Sequence, residues 1–366
     1  MSSSPIGLAI WGLHHQHPRW YRTLLESLPQ FALRCVSEPD AGLLAAQADA
    51  FAVDTCGDPA QMLARTDVEV VLVFVPHREM PGAVERCVEA GKHVLVEKPM
   101  GACADDARRV ARIADAAPVK VTTGFYWRFS PAAGMIRRWV AEGLLGRLVH
   151  VEARFNGHLS SANSYVRDHA PWMLDADQGG APMFNIGVHW VDLLWWLTGL
   201  EVRAVQGATN SLGEPRRTAE DNAAALLEYH GGALGLLDVG RNVPAGYPHG
   251  RDLFLSLRGT VGCVEWIPSL GDENDELLLV SEHESMAGQN LRRVSVAKEP
   301  VPGYAGQMGR DCLADFAEAV RSGRQVSITA RDGLRAALVT EAVLRSARGE
   351  GRIVLDNTAA AGSDAA

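Results

Sequence analysis

The sequence predicts an α/β chain in two units. Residues 1–124 read as a doubly wound parallel sheet, and residues 125–366 as an α+β unit with an open, mostly antiparallel sheet. Three observations predict this. Short apolar runs alternate with helix-period segments through the first third. The clearest run, Val70-Val-Leu-Val-Phe-Val75, is continuous and β-branched, as a strand covered on both faces requires. After about Gly124 the alternation gives way to strand-like runs separated by Gly, Pro, Asn and Asp. The length of 366 residues also suggests two domains, at roughly 100–200 residues each.

Ile6–Trp11 reads as a buried strand. Pro18–Leu28 follows as a helix, with Trp20, Leu24 and Leu28 at i, i+4 and i+8 and Pro18 in its first turn. Phe31–Val36 is a second strand and Leu43–Phe51 an Ala-rich helix. Pro81–Ala90 is a helix closed by Gly91, and His93–Val96 a strand. Asp105–Ala116 is a helix with acidic residues in its first turn, and Val119–Thr123 a strand. In the second unit Pro131–Glu142 is a helix and Leu148–Phe155 a strand, whereas Asn156–Asp177 is polar and without strong period. Pro182–Leu197 reads as one helix. Strands follow around Val202–Thr209, Ala223–Tyr229, Ala233–Val239, Leu253–Leu257 and Leu277–Val280, then amphipathic helices at Asp311–Arg321 and Asp332–Ala347. The Ala/Gly/Ser tail from Thr358 is expected to fray.

Composition narrows the function. Lys+Arg number 35 and Asp+Glu 44, a net charge of −9, which argues against a general nucleic-acid binder. The 47% hydrophobic content supplies a full core. No apolar run approaches the roughly 18 residues of a membrane span, and the first residues lack the pattern of a secretory signal. The six cysteines are scattered without a CxxC pair, as expected for free thiols in the cytoplasm.

Three motifs carry chemistry. The first strand runs into Trp11-Gly-Leu-His-His-Gln-His17, where a Rossmann dinucleotide fold wants G-x-G-x-x-G so that backbone N–H groups can approach a pyrophosphate. Only Gly12 remains; His14 and His17 stand at the second and third glycine positions. The context still fits, with a strand before, a helix after, and Glu38 at the end of the second strand. There Glu38 would accept hydrogen bonds from an adenosine ribose and repel a 2′-phosphate, favouring NAD over NADP. Its alternative role is to cap a loop. His14, His15 and His17 are expected to place one imidazole near the cofactor phosphates and the others at the surface. Neighbouring ligands in a turn rarely converge on one ion, so no metal is expected.

The second motif is Glu97-Lys98-Pro99 at a strand end, which points into the ligand crevice of an open α/β sheet. A lysine there can donate to a substrate oxygen, or simply be solvated. The third is Gly179-Gly-Ala-Pro-Met-Phe-Asn-Ile-Gly-Val-His-Trp-Val-Asp192. Asn185, His189 and Asp192 form one polar stripe on an otherwise apolar helix, and buried polar groups must be paired. Periodicity alone leaves a satisfied core histidine and a catalytic one equally open.

Together these motifs resemble the Gfo/Idh/MocA oxidoreductases, the sugar and cyclitol dehydrogenases, from about Ile6 to Leu355. The resemblance includes Asp67–Pro76, Glu97-Lys98-Pro99, Tyr126-Trp-Arg-Phe-Ser-Pro131, Gly187-x-His189-x-x-Asp192 and the segment from Asp332-Gly-Leu to Ser346-Ala-Arg. It implies NAD as cofactor, Lys98 as the catalytic lysine and His189 as the acid/base histidine. Asn185 stands where many members have a catalytic Asp, and is expected to hydrogen bond a substrate hydroxyl. The cofactor residues expected are Gly12, Leu13, His14, Glu38, Pro76, His77, Glu97, Lys98 and Arg128; those at the substrate are Lys98, Trp172, Asn185 and His189. Asp192 would orient the His189 ring or anchor its helix. The family pattern after Pro76, with an Asn and a His, is here His77-Arg78-Glu79-Met80. A homodimer or homotetramer through the C-terminal sheet is implied. The expected reaction moves a hydride between nicotinamide and a secondary alcohol of a sugar or cyclitol. The alternatives are NAD-dependent non-redox glycoside processing, a non-catalytic cofactor- or sugar-binding regulator, and a metal enzyme using the histidine cluster. The loop Asn156–Asp168 is expected to choose the substrate.

Overall fold

The apolar runs of the first third pair as parallel strands: β1 (Ile6–Trp11), β2 (Phe31–Ser37), β3 (Asp54–Cys56), β4 (Val70–Val73), β5 (His93–Val96) and β6 (Val121–Thr123). The computed structural model describes residues 4–158, 170–211, 218–244, 246–269 and 273–356. Strand order is β3-β2-β1-β4-β5-β6. It reverses between β1 and β4, and at such a switch point the carboxyl ends of the strands open a crevice for a ligand. Every residue of β1 and β4 is buried, because helices cover both faces. These are α1 (His17–Leu25), α2 (Ala41–Phe51), α3 (Pro59–Leu63), α4 (Met80–Glu89) and α5 (Ala104–Ala116).

After α6 (Pro131–Ala141) the long strand β7 (Leu148–His158) starts a nine-stranded sheet. Two helical pieces, α7 (Pro182–Asn185) and α8 (Gly187–Thr198), lead to β8 (Val202–Asn210), β9 (Asn222–Tyr229), β10 (Leu234–Val243), β11 (Arg251–Gly259), β12 (Gly262–Ile267), β13 (Asp275–Ser281) and β14 (Leu291–Val296). The chain closes with α9 (Gly306–Ser322), α10 (Ala330–Arg345) and β15 (Ile353–Val354). The order is β14-β13-β12-β11-β7-β10-β9-β8-β15, antiparallel except between β7 and β10. Helix α10 packs on α5 of the first unit as well as on α8 and β8 of the second. Thr122 of β6 donates to Ile328 O at 2.7 Å, so the chain's end is stitched back onto the first sheet. The outer face of the large sheet keeps Leu226, Leu234 and Leu236 at 39%, 47% and 46% exposed.

The parallel and antiparallel sheets agree with the expected fold class. Three features differ from the expected elements. The helix expected over Pro182–Leu197 is broken at Ile186. Trp20, expected on the buried face of α1, is 44% exposed, because that face belongs to Tyr21 and Leu24. Strands β3, β12, β14 and β15 and helix α3 had no expected counterpart.

A cluster of tryptophans fixes the start of the second unit. Trp127, in the 3₁₀ turn Tyr126–Phe129, stacks on Trp190 of α8 at 5.3 Å and meets Trp266 of β12 edge-on at 5.8 Å. All three are fully buried. Trp127→Ala should therefore destabilise the protein by about 3–5 kcal/mol, read from the urea unfolding midpoint; a loss under ~1 kcal/mol would mean the site collapses around the missing ring.

Candidate active site

The loop after β1 is shaped by one glycine. Gly12 has φ +100°, and a Cβ there would lie 2.7 Å from the backbone of Phe74 and Val75 at the end of β4. The next residue, Leu13, donates its N–H to Glu38 Oε2 at 2.8 Å; Asp40 N–H donates to Oε1 at 2.9 Å. His14 Nε2 lies 3.4 Å from the same Oε1. Burial opposes ionisation of Glu38, but His14 and the two backbone donors outweigh it and hold the carboxyl below its usual range. The hydrogen bond to Glu38 in turn raises the His14 imidazole. Glu38 thus stands as an anchored carboxylate at the end of β2, with His14 over it.

The other two histidines are not surface residues. His15 is 6% exposed, and its Nδ1 accepts the His17 N–H at 3.0 Å. His17 Nδ1 lies 3.1 Å from Glu97 Oε2, and its ring meets Tyr304 at 4.1 Å and Trp20 at 5.5 Å. Burial lowers both imidazoles well below their usual value. Burial also raises the Glu97 carboxyl, against the pull of Lys98 and His15. Among the described residues no three His, Cys, Asp or Glu side chains are placed to share a metal ion.

Lys98 and Asn185 meet because a helix is interrupted. In a continuous helix the Asn185 carbonyl would accept from the His189 N–H, four residues on. Instead that N–H turns to Ile186 O at 3.0 Å. The break at Ile186 is followed by Gly187, where a Cβ would come within 2.8 Å of Met183 Sδ and 3.4 Å of Thr340. Lys98 Nζ donates to the released Asn185 carbonyl at 3.1 Å and to Asn185 Oδ1 at 3.0 Å. Glu97 Oε1 is 3.9 Å from the same nitrogen and has no hydrogen-bond partner of its own. Lys98 is 6% exposed, and burial lowers its pKa although Glu97 raises it.

His189 sits one turn beyond Asn185, with its ring 5.0 Å from Tyr126 and 5.8 Å from Phe125. Its Nδ1 is buried without a hydrogen-bond partner. Burial, with Lys98 and His17 nearby, holds the imidazole well below its usual pKa. It is therefore a neutral base beside an amine, in a pocket that largely excludes water.

One residue expected at the site is committed to a structural ion pair. Arg128 was expected at the cofactor, but its guanidinium is committed to Asp192, through Nε at 2.9 Å and through Nη2, and to Ser327 O at 3.2 Å. Asp332 at the start of α10 adds a contact at 3.4 Å. Burial alone would lower the arginine's pKa; the two carboxylates more than offset this and keep it charged. Asp192 accordingly anchors α8 and does not touch His189 through a hydrogen bond. Trp172 donates from Nε1 to His14 O at 3.2 Å and meets the His77 ring edge-on at 4.5 Å. It ties the 3₁₀ turn Pro171–Leu174 to the loop after β1. His77, just after Pro76 at the end of the β4 segment, is 1% exposed, and burial and Lys98 push its pKa down to about 3. Tyr304 was not anticipated; it precedes α9 in a segment with no period, and nothing in the sequence marks it. Of the loop expected to choose the substrate, residues 159–168 lie outside the described residues.

Family models match both units. Residues 6–125 match the oxidoreductase family with an NAD-binding Rossmann fold, and residues 134–265 match the GFO/IDH/MocA C-terminal domain. The chain belongs to the Gfo/Idh/MocA oxidoreductases. Its curated relatives include inositol 2-dehydrogenase 2 of Saccharopolyspora erythraea, 28% identical over 94% of this chain and 93% of that protein. The rhizopine catabolism protein MocA of Rhizobium meliloti is 26% identical over 79% of this chain and 78% of its own length. Among solved structures, levoglucosan dehydrogenase in complex with NADH and levoglucosan shares the fold at TM-score 0.81 and 20% identity, covering 96% of this chain and 99% of that one. This Gfo/Idh/MocA member is thus an oxidoreductase with an NAD-binding Rossmann unit. The residues present fit that cofactor, since Gly12 at positive φ lets the loop after β1 turn closely past the end of β4 and Glu38 is an ionised acceptor at the end of β2.

Two outcomes are expected. Arg128→Leu strands the buried Asp192 without its partner, while Asp332 keeps Arg335 at 2.8 Å, and should cost about 3–5 kcal/mol of stability at neutral pH, measured by urea unfolding. His77 resists protonation only in the folded state, so the unfolded chain binds the extra proton and stability falls as pH drops from 6.5 towards about 3. His77→Phe should flatten this slope. An unchanged slope between pH 6.5 and 5 would show that His77 titrates normally.

Proposed function

We propose that this chain reversibly oxidises a secondary alcohol of a sugar, sugar derivative or cyclitol, with Lys98 and His189 as its acid/base pair and NAD preferred to NADP. The observation that carries the reading is the buried Lys98 amine, clamped by Asn185 at the mouth of the parallel sheet and next to a His189 ring with an unpartnered Nδ1. When bound, NAD supplies the hydride acceptor. His189 takes the hydroxyl proton on its ring, and its neutral state keeps it ready to do so. Lys98 donates to the same oxygen and stabilises the charge that develops there. Asn185 Oδ1 is occupied by Lys98, so its Nδ2, now 3.8 Å from Met173 Sδ, is the end that meets a substrate hydroxyl. Residues 1–124 hold the cofactor through Gly12, Leu13, His14, Glu38, Pro76, His77 and Glu97, and residues 125–366 wall the substrate, Trp172 included.

Relatives named inositol 2-dehydrogenase and levoglucosan dehydrogenase support a cyclic polyol. The exposed leucines on the outer face of the large sheet support a homodimer or homotetramer closed through that face, and the six free cysteines support a cytoplasmic location.

Calorimetric titration with NAD+, NADH, NADP+ and NADPH, followed by a polyol screen that includes myo-inositol and levoglucosan, tests the reading. NAD(H) should bind more tightly than NADP(H). Lys98→Ala and His189→Ala should each lower kcat by about two to four orders of magnitude. Losses below tenfold in both would remove them from the chemistry. Turnover without net NADH would favour the non-redox glycoside reading, and cofactor binding with no turnover on any polyol would favour a regulator.

A further inference from the structure

His17, at the third glycine position of the dinucleotide loop, has no part in the function so far described. Glu97 is likewise a buried carboxyl with one oxygen unused. Oxidation of an alcohol leaves a carbonyl, sends a hydride to the cofactor and releases one proton. That proton starts in a pocket where Lys98 is 6% and His189 4% exposed, so it needs a path out.

We propose that Glu97 and His17 conduct the released proton from Lys98 to solvent. This rests on the dehydrogenase reading above. Glu97 Oε1 faces Lys98 Nζ at 3.9 Å and has no hydrogen-bond partner. Its other oxygen, Oε2, is 3.1 Å from His17 Nδ1. The His17 side chain is 12% exposed and stacks on Trp20, which is 44% exposed. The three groups therefore run in line from the reacting end of Lys98 to the surface. A movement of the lysine amine by about 1 Å brings it within hydrogen-bond reach of Oε1.

The chemistry of the pair suits the task. A carboxyl can receive a proton on one oxygen and release one from the other; an imidazole does the same with its two nitrogens. Burial raises Glu97 and lowers His17, which narrows the gap between them, and in the relaying state Glu97 carries a proton on Oε2 facing His17 Nδ1. Transfer from Lys98 to Oε1 sends the Oε2 proton to Nδ1, the Nε2 proton leaves to water, and the neutral Lys98 takes from His189 the proton that His189 removed from the hydroxyl. One proton enters and one departs, with no other bond changed. The groups facing His17 are Glu97 after β5, His15 in its own loop, Trp20 on α1 and Tyr304 before α9. Lys98, His77 and Arg251 act on it across the pocket.

Single-turnover reaction of the full-length protein tests this, with NAD+ and the best polyol of the screen, beginning with myo-inositol. NADH is followed by absorbance and proton release by an indicator dye in weak buffer. In the wild type the two should rise together. In His17→Phe and His17→Gln proton release should lag NADH by about tenfold or more. Because imidazole would itself buffer the indicator, rescue is read separately, as recovery of the steady-state NADH rate of the His17 variants in tens of millimolar imidazole. Glu97→Gln should lag without imidazole rescue. A His17 variant that releases its proton in step with NADH, or a steady-state rate that imidazole leaves unchanged, overturns the proposal and leaves the dehydrogenase reading standing. A wild type that reduces NAD+ with no polyol overturns both. Without cofactor, ¹⁵N-histidine spectra should show a neutral His17 ring at pH 6 whose signals move in Glu97→Gln; a ring already charged there also overturns the relay.

Discussion

A backbone carbonyl left free inside a helical segment holds the two units of this protein in working register. Lys98 belongs to the strand end of the parallel sheet, whereas Asn185 belongs to the helical pair that faces the large sheet. Moving an ammonium group out of water costs several kcal/mol unless acceptors meet it. Asn185 meets it twice, with its carbonyl and its side-chain oxygen. An unbroken helix would offer only the side chain. The interruption at Ile186 thus sets the direction of the amine.

The groups around this contact keep their charges apart. Arg128, Asp192 and Asp332 form a buried ionic hub one turn along α8 from His189, which fixes that helix against α10. The pocket side holds His15, His17, His77 and His189, all lowered by burial. A low-dielectric pocket lined by neutral bases leaves Lys98 as its dominant donor, so an oxygen that gains negative charge is stabilised there more than in water. The ionic hub steadies the helix that carries His189 without adding a charge beside its ring.

Most of the parallel sheet was legible because both its faces are covered, and a run such as Val70–Val73 admits few other readings. The Asp54–Cys56 strand was not, since three residues with an acid at the front carry no period. The edge strand β14 contains two arginines, a polar pattern that suits an edge and hides it from hydropathy. At the site, i, i+4 spacing put Asn185 and His189 on one continuous helix, but the chain breaks at Ile186, and periodicity could not reveal the freed carbonyl. Arg128 was misplaced for another reason. Its partner Asp192 lies 64 residues away, and ion pairs of that separation leave no local signature.

The eroded glycine motif shows how a missing pattern differs from a missing property. A G-x-G-x-x-G loop bundles several needs, and the structure separates them. The need for a bare backbone falls on Gly12, where a Cβ would strike the end of β4. The other two positions carry side chains that turn towards carboxyls at strand ends, His14 to Glu38 after β2 and His17 to Glu97 after β5. Each imidazole therefore joins the loop to a different wall of the crevice. The cradle depends on the approach at Gly12, so the substitutions add two side-chain contacts to the crevice while the steric requirement of the turn stays met.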